Sequence, residues 1–311
     1  MNLLSSEFHR FRSKYLTTIR RFLEENGFLE MDTPIFKTTP GMEPYLDPFL
    51  VCSPSGEERG YLITSPEYSL KMLLSSGLEK IYEITHTFRS GEKGSGVHTA
   101  EFLMLELYAT QWDEFQLMDW MEEFFSYLDQ NLYQFGFQNL PVSRVSNLEL
   151  FLESTGRGWD RESLEKTLQE NKIPYSSNAS YEDLYYLVFL NLVEPKLSPG
   201  ILFLYDYPPE CCALAKIENG VARRFEIYWD RLELANAFYE LVDPVEQRKR
   251  LESERELRRT MGKEAFALDE NFLRCLEMGM PEGSGISLGL DRLLMKILGK
   301  QSLREVSPYS R

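Results

Sequence analysis

Three clusters of polar side chains in this sequence have the types and spacing to handle a phosphorylated ligand and an ammonium group. The first is FRSGEKGSGVHTAEF, residues 88–102, in which Arg89 and His98 flank a loop that carries three glycines and Glu92. Arginine meets phosphate oxygens two at a time through its planar fork, and glycines let a backbone bend closely over a ligand, so the loop suits a polyphosphate. It lacks the Gly-Lys-Ser/Thr ending of a Walker loop, and the same residues also describe a plain hairpin tip. The second cluster is RRFEIYWDRLELANAFYELVD, residues 223–243, with Glu226, Glu233 and Glu240 at seven-residue steps and Asn236 between the last two. Carboxylates among aromatic and aliphatic neighbours must find partners. Magnesium on nucleotide phosphates or a ligand ammonium would serve, and for any single glutamate an ion pair to Arg223 or Arg231 is the alternative. The third is PEGSGISLGLDRLLMKILG, residues 281–299, where Gly283, Gly285 and Gly289 punctuate a strand-like run and Asp291 opens an amphipathic helix. Arg292 falls in the first helical turn, where the helix dipole does not favour a cation, which suggests an anion held nearby.

Positioning these groups requires particular elements. The runs KIYEITHTFR and AEFLMLELYAT on either side of the glycine loop alternate with strand period and predict an antiparallel pair. Period two puts Leu103, Leu105 and Leu107 on one face and Phe102, Met104, Glu106 and Tyr108 on the other, with Glu83, Thr85, Thr87 and Arg89 sharing a face of the partner strand. Such a face is poor core material and good lining for a polar pocket with an aromatic platform. Ahead of it, Phe8, Phe11, Tyr15, Ile19, Phe22 and Leu23 form the apolar stripe of a helix that stops at Gly27. FLEMDTPIF then reads as a strand that Pro34 ends or confines to an edge. Between residues 140 and 200 the pattern turns helical, with Asp160 capping RESLEKTLQE and a Ser180/Asp183 capping box ahead of LYYLVFLNL. That stretch reads as a helical insertion in a mixed helix-and-sheet domain.

Composition bounds the function classes. With 311 residues, 43% of them hydrophobic, the chain can bury one large core or a core with a small subdomain. No apolar run reaches membrane-spanning length and the N-terminus turns polar too early for a signal peptide, so the expected setting is the cytoplasm, with no membrane. Cys52, Cys211, Cys212 and Cys275 have no metal-ligand spacing and read as buried thiols. The net charge of −15, from 34 basic and 49 acidic residues, is the wrong sign for gripping a nucleic acid backbone. The most basic stretch, residues 246–259, alternates bases with acids at helical spacing and reads as a solvated, salt-bridged helix.

The helix and strand ending at Pro34, then FR…E…H…EF, then GxGxxxGxDR, in this order, resemble the three signature motifs of the class II aminoacyl-tRNA synthetases. TSPEYSLKMLL, EFLMLELY and LELANAFYEL resemble the amino-acid pocket of the lysyl branch, and the likeness spans nearly the whole chain. It implies an α+β fold, a class II synthetase-like catalytic core with an antiparallel sheet flanked by helices, in one domain over residues 1–311. Lysyl-tRNA synthetases carry an anticodon-binding barrel ahead of this core, and here the first motif begins within the first thirty residues. That truncated architecture is similar to the elongation factor P lysine ligases, as are GMPEGSGISLGLDRL and the size of Ser287, where synthetases usually carry glycine.

The resemblance implies roles residue by residue. Arg89 holds the α-phosphate and, with Arg292, does the catalytic work, while Phe102 and Arg292 sandwich adenine and His98 approaches the outer phosphates. Glu92 and Gly289 complete the ATP site, and Glu226 and Glu233 carry magnesium. Glu67 takes the ammonium near the substrate α-carbon, where Ser287 shapes the pocket; Glu240, with Glu106 and Tyr108, takes the side-chain ammonium of lysine or β-lysine, and Ser65 and Asn236 complete the substrate site. In one respect the sequence departs from the family: FRSGE has one residue more than Phe-Arg-x-Glu ahead of Glu92. The implied activity is ATP-dependent formation of an aminoacyl adenylate, without a covalent nucleophile, and transfer to a lysine of elongation factor P by a homodimer that does not bind tRNA stably. The alternatives are aminoacylation of RNA or a small acceptor, and a non-catalytic synthetase-like regulator.

Overall fold

The computed structural model describes residues 5–91, 96–132 and 136–307. The chain divides into two compact units, residues 1–137 with 242–311, and residues 138–241.

The first unit opens with helix α1 (Ser6–Glu25), capped by the Ser5 hydroxyl, which accepts from Phe8 N at 3.2 Å. The expected stripe is the buried one: Phe8, Tyr15, Ile19, Phe22 and Leu23 are at most 5% exposed, Phe11 is half-buried, and Gly27 at φ +80° carries the chain out of the helix. The single strand expected over residues 28–36 is instead two short ones, β1 (Leu29–Glu30) and β2 (Phe36–Lys37), interrupted around Pro34, whose nitrogen has no hydrogen to donate to a ladder. Strand β2 joins β3 (Leu50–Cys52) and β4 (Arg59–Leu62) in a small antiparallel sheet of order β2-β4-β3. Helix α2 (Glu67–Leu74) leads into β5 (Lys80–Phe88) and β6 (Glu101–Thr110), the antiparallel pair read from the sequence, in a register that sets Glu83 opposite Glu106 and Thr87 opposite Phe102. Helix α3 (Glu114–Asn131) starts at an Asp113/Gln116 capping box and brings Trp120 within 5.1 Å of Phe22 of α1.

The second unit holds β7 (Val142–Ser146), α4 (Asn147–Thr155), α5 (Arg161–Glu170), α6 (Tyr181–Val188), β8 (Ile201–Tyr207), β9 (Ile217–Glu218), β10 (Val221–Trp229) and β11 (Leu232–Tyr239). The Asp160 cap and the Ser180/Asp183 capping box both form. Its strands run β11-β10-β8-β7, antiparallel except for the parallel β7/β8 pair, with β9 against β10. Phe151, Leu168, Leu184 and Tyr185 of the helices share a core with Leu202 and Leu204 of β8.

The chain returns to the first unit through α7 (Pro244–Thr260), α8 (Glu270–Gly279), β12 (Gly283–Gly289) and α9 (Leu290–Ile297). Strand β12 pairs antiparallel with β6, and β1 lies parallel to β5, which gives this unit the order β1-β5-β6-β12. Gly283 is required at its place: a Cβ there would stand 2.4 Å from the Ala109 carbonyl oxygen. Helix α7 is salt-bridged as its charge pattern predicts, through Arg250 to Glu246 and Arg248 to Glu270 at 2.7–3.0 Å. Asp291 lies in the first turn of α9, but its carboxylate faces Arg12 of α1 at 2.9 Å and accepts from Leu103 N of β6 at 2.8 Å, which ties three elements together. Of the four cysteines expected to be buried, Cys211 is; Cys212 and Cys275 are half-buried, and Cys52 is exposed because β3 shows three exposed residues in a row. Among the described residues, no helix is long and apolar enough to cross a membrane.

Candidate active site

In the first unit a carboxylate pocket forms around Glu106. Its side chain is 2% exposed and both its oxygens accept hydrogen bonds: Oε1 from Tyr108 Oη at 2.7 Å, Oε2 from Ser65 Oγ at 3.0 Å and from Ser287 Oγ at 2.5 Å. The geometry follows from strand period and register. Glu106 and Tyr108 are two apart on β6, and Ser287 of β12 is the residue directly opposite Glu106. Burial pushes the Glu106 carboxyl up to about 7, Glu67 beside it pushes the same way, and the three hydroxyls oppose the shift. Glu67 starts α2, one turn before Lys71, whose Nζ is 2.5 Å from Glu67 Oε1. Lys71 is 2% exposed and stands 5.8 Å from the centre of the Tyr108 ring. The pocket therefore holds two carboxylates and one ammonium at close quarters. Five of the expected substrate residues, Ser65, Glu67, Glu106, Tyr108 and Ser287, meet here. Lys71 was not foreseen, although Glu67 and Lys71 at i and i+4 of a helix are the signal that points to it.

The same sheet carries the phosphate-directed residues. Arg89 follows β5, donates its backbone N–H to Ala100 O at 2.9 Å, and lays its guanidinium 5.1 Å from the centre of the Phe102 ring. Arg292, half-buried in the first turn of α9, donates from Nε to the Val97 carbonyl at 3.2 Å, so α9 holds the strand-proximal end of the loop. His98 is exposed on that loop, and Gly289 is the N-cap of α9, opposite Met104 of β6. Glu92 lies outside the described residues.

The second unit organises the other carboxylates. Glu226 is 7% exposed and engaged on both oxygens, by Arg224 Nη2 and Tyr228 Oη at 2.5 Å each. Arg224 also donates to Cys211 O at 2.8 Å and to Asn236 Oδ1 at 3.2 Å, with its guanidinium over the Tyr207 ring. The ion-pair partner of Glu226 is thus Arg224, not Arg223 or Arg231. Residues 224, 226 and 228 share one face of β10, whereas Arg223 points the other way, to Glu218 at 3.0 Å and over the Tyr239 ring. Asn236 sits directly opposite Glu226, and Glu233 of β11 is opposite Tyr228. Glu240, 2% exposed, bridges to Ala215 just past β11. Among the described residues no three His, Cys, Asp or Glu side chains converge to hold a metal ion. Each oxygen of Glu226 already carries one donor, so a magnesium ion there would share an oxygen with Arg224 or Tyr228.

The chain matches the family model for class II tRNA synthetases of the D, K and N type over residues 2–311. It belongs to that family. Among individual relatives, it is 36% identical to the elongation factor P (R)-β-lysine ligase homolog of Aquifex aeolicus over 93% of this chain and 94% of that protein. It is likewise 36% identical to the elongation factor P (R)-β-lysine ligase of Edwardsiella ictaluri, over 96% and 93%. Against the lysine–tRNA ligase of Carboxydothermus hydrogenoformans the identity is 34%, over 95% of this chain and 63% of the other. The chain has the α+β core of that family, with Arg89 just past β5, Phe102 on β6 and Arg292 in the first turn of α9.

Proposed function

We propose that this protein is an ATP-dependent ligase that activates lysine or β-lysine as an aminoacyl adenylate and transfers it to a lysine side chain of elongation factor P. The observation that carries the reading is the buried Glu106–Glu67 pocket on the sheet that also presents Arg89. Carboxylates sealed from water favour a substrate that brings ammonium groups. An arginine a few residues along the same strand pair suits the α-phosphate that the substrate carboxylate must attack. Similarity to the named ligases over more than nine-tenths of both lengths supports the acceptor.

In this reading Arg89 neutralises charge on the α-phosphate while a substrate carboxylate oxygen attacks phosphorus and pyrophosphate leaves. Adenine packs on Phe102 with Arg292 on its other side, and His98 and Gly289 border the phosphates. Ser65, Ser287 and Tyr108 fix Glu106, and Lys71 fixes Glu67, so the carboxylates are oriented before substrate arrives. For the distal ammonium, Glu240 and Asn236 are assigned on the sequence resemblance. A magnesium ion accompanying the nucleotide would supply charge neutralisation at the phosphates, and Glu233 and Glu226 would be the residues to hold it. In the second step the acceptor amine attacks the acyl carbon and AMP departs.

The setting is cytoplasmic, where translation factors reside. Stable tRNA binding is not expected of a chain with net charge −15. A homodimer is supported by the exposed apolar run of Leu29, Ile35, Phe36 and Leu50, 41–53% exposed, in β1 to β3. The test is amino-acid-dependent ATP–pyrophosphate exchange with lysine, β-lysine and arginine, followed by transfer of label to elongation factor P or tRNA. Exchange with lysine or β-lysine and label on the protein is the expected result; label on tRNA would establish aminoacylation instead, and no exchange would leave a non-catalytic regulator.

A further inference from the structure

The loop between β2 and β3 contains a carboxylate that the reading above does not use. Gly41 and Glu43 are folded together so closely that a Cβ on Gly41 would stand 2.4 Å from Glu43 Oε2 and 3.0 Å from Oε1. The Oε2 atom is sealed from solvent and accepts no hydrogen bond. Leaving a carboxylate oxygen in that state is costly unless a cation arrives to complete it. The groups that act on Glu43 electrostatically are Glu67, Arg89 and Arg258, which places it within reach of the residues assigned to the reacting end of the substrate. Burial and Glu67 both push its carboxyl up, while the two arginines and its own backbone N–H hold it down.

The loop is built to hold that side chain in place. Arg258 of α7 is 1% exposed; its Nη1 donates to the carbonyls of Glu43 and Leu46, each at 2.9 Å, and its Nη2 to Asp47 Oδ1 at 3.0 Å. Lys263 adds bonds to Pro44 O and Asp47 Oδ2, both at 3.0 Å. At its far end, Asp47 O accepts from Ser90 N at 2.7 Å, immediately beside Arg89. A buried guanidinium committed to a loop's backbone fixes the path of that loop, so the orientation of Glu43 is a built feature of the first unit.

We propose that Glu43 is a further amino-acid-binding residue, which accepts the ammonium group near the carboxyl end of the substrate together with Glu67. The proposal rests on the amino-acid-activating reading above. It gives the pocket a second carboxylate at the reacting end, where Lys71 already occupies one oxygen of Glu67.

The test is steady-state ATP–pyrophosphate exchange by the wild-type protein, Glu43→Gln and Gly41→Ala, with lysine and β-lysine varied in turn. Glu43→Gln should raise the KM for the amino acid by about ten- to a hundredfold, the worth of a hydrogen bond to a charged group, and leave the KM for ATP within about twofold. Gly41→Ala, whose new methyl group crowds the Glu43 carboxylate out of place, should raise the amino-acid KM in the same direction, and it decides the matter alone should the glutamine variant not fold. An amino-acid KM within about twofold of wild type in the folded variants overturns the proposal, as does an equal rise in the KM for ATP. Wild-type exchange with no amino acid at all overturns the ligase reading itself, and the proposal with it; unchanged variants of an active wild type overturn the proposal only.

Discussion

Replacing Glu106 by glutamine should make the protein more stable near neutral pH and worse at binding its amino acid. Glu106 is fully buried and its carboxyl sits at about 7, against an ordinary 4.5. At about 1.36 kcal/mol per pH unit, ionising it in the folded state costs roughly 3.4 kcal/mol. The folded protein therefore holds a proton that the unfolded chain has lost between these two values, so the contribution of this group to stability falls as pH rises through that window. Below about pH 4.5 the contribution is level, and above about pH 7 the full cost is present. Glutamine cannot ionise, and Ser65, Ser287 and Tyr108 remain to meet its amide, with about 1 kcal/mol lost where an N–H now faces a donor. The assay is urea unfolding of both proteins at several pH values. The difference in unfolding free energy removes the titrating groups that do not interact with Glu106, and it should turn by about 3 kcal/mol in favour of Glu106→Gln between pH 4.5 and pH 7, then level off. In exchange assays the same variant should show an amino-acid KM at least about tenfold higher. A difference curve flat across this range would refute the account of Glu106 as a carboxylate whose charge is opposed by its surroundings.

Other outcomes follow from the same contacts. Ser287→Ala removes a donor to ionised Glu106 and so pushes its carboxyl further up; the amino-acid KM should rise about three- to tenfold at neutral pH and by less at about pH 8, as a pH profile of exchange will read. Arg224→Met leaves Glu226 buried and charged and should cost about 3–5 kcal/mol in urea unfolding, most of it regained in the double variant Arg224→Met with Glu226→Met. Phe102→Ala should raise the KM for ATP about tenfold, the value of a lost stacking surface, with the amino-acid KM unchanged.

Much of the site could be read from local spacing. Alternation along β5 and β6 sorted Glu106 and Tyr108 from Leu103, Leu105 and Leu107, and the register then brought Glu83 and Glu106 opposite each other, both at most 3% exposed. The two helix caps at Asp160 and Ser180 were legible because capping is decided within four residues. What escaped was decided elsewhere in the chain. Arg224 is the exception, since it stands two residues from Glu226 on β10 and shares its face by strand alternation, whereas Arg223 does not. Glu43 reads as an ordinary loop acid until Arg258, more than two hundred residues later, fastens the carbonyls around it. Strand length near Pro34 was overestimated because the alternating pattern continues through a residue that cannot donate to a ladder.

The order in which the chain leaves the ribosome gives the Arg258 clamp another meaning. Asp47 and Arg258 are 211 positions apart, and Tyr15 and Leu290, joined by a hydroxyl-to-carbonyl bond, are 275 apart. Nearly the whole polypeptide must therefore exist before the first helix gains its bond to α9 or the β2–β3 loop its guanidinium. Residues 138–241, by contrast, find the partners described for them within one continuous stretch. Synthesis runs at about 5–20 residues per second, so α1 and the β2–β3 loop wait at least about ten seconds for these bonds, with only α3 available earlier to cover Phe22 of the stripe. Chaperone engagement is expected to fall in that interval, and truncations that remove α7 or α9 should leave the early elements in the nascent state.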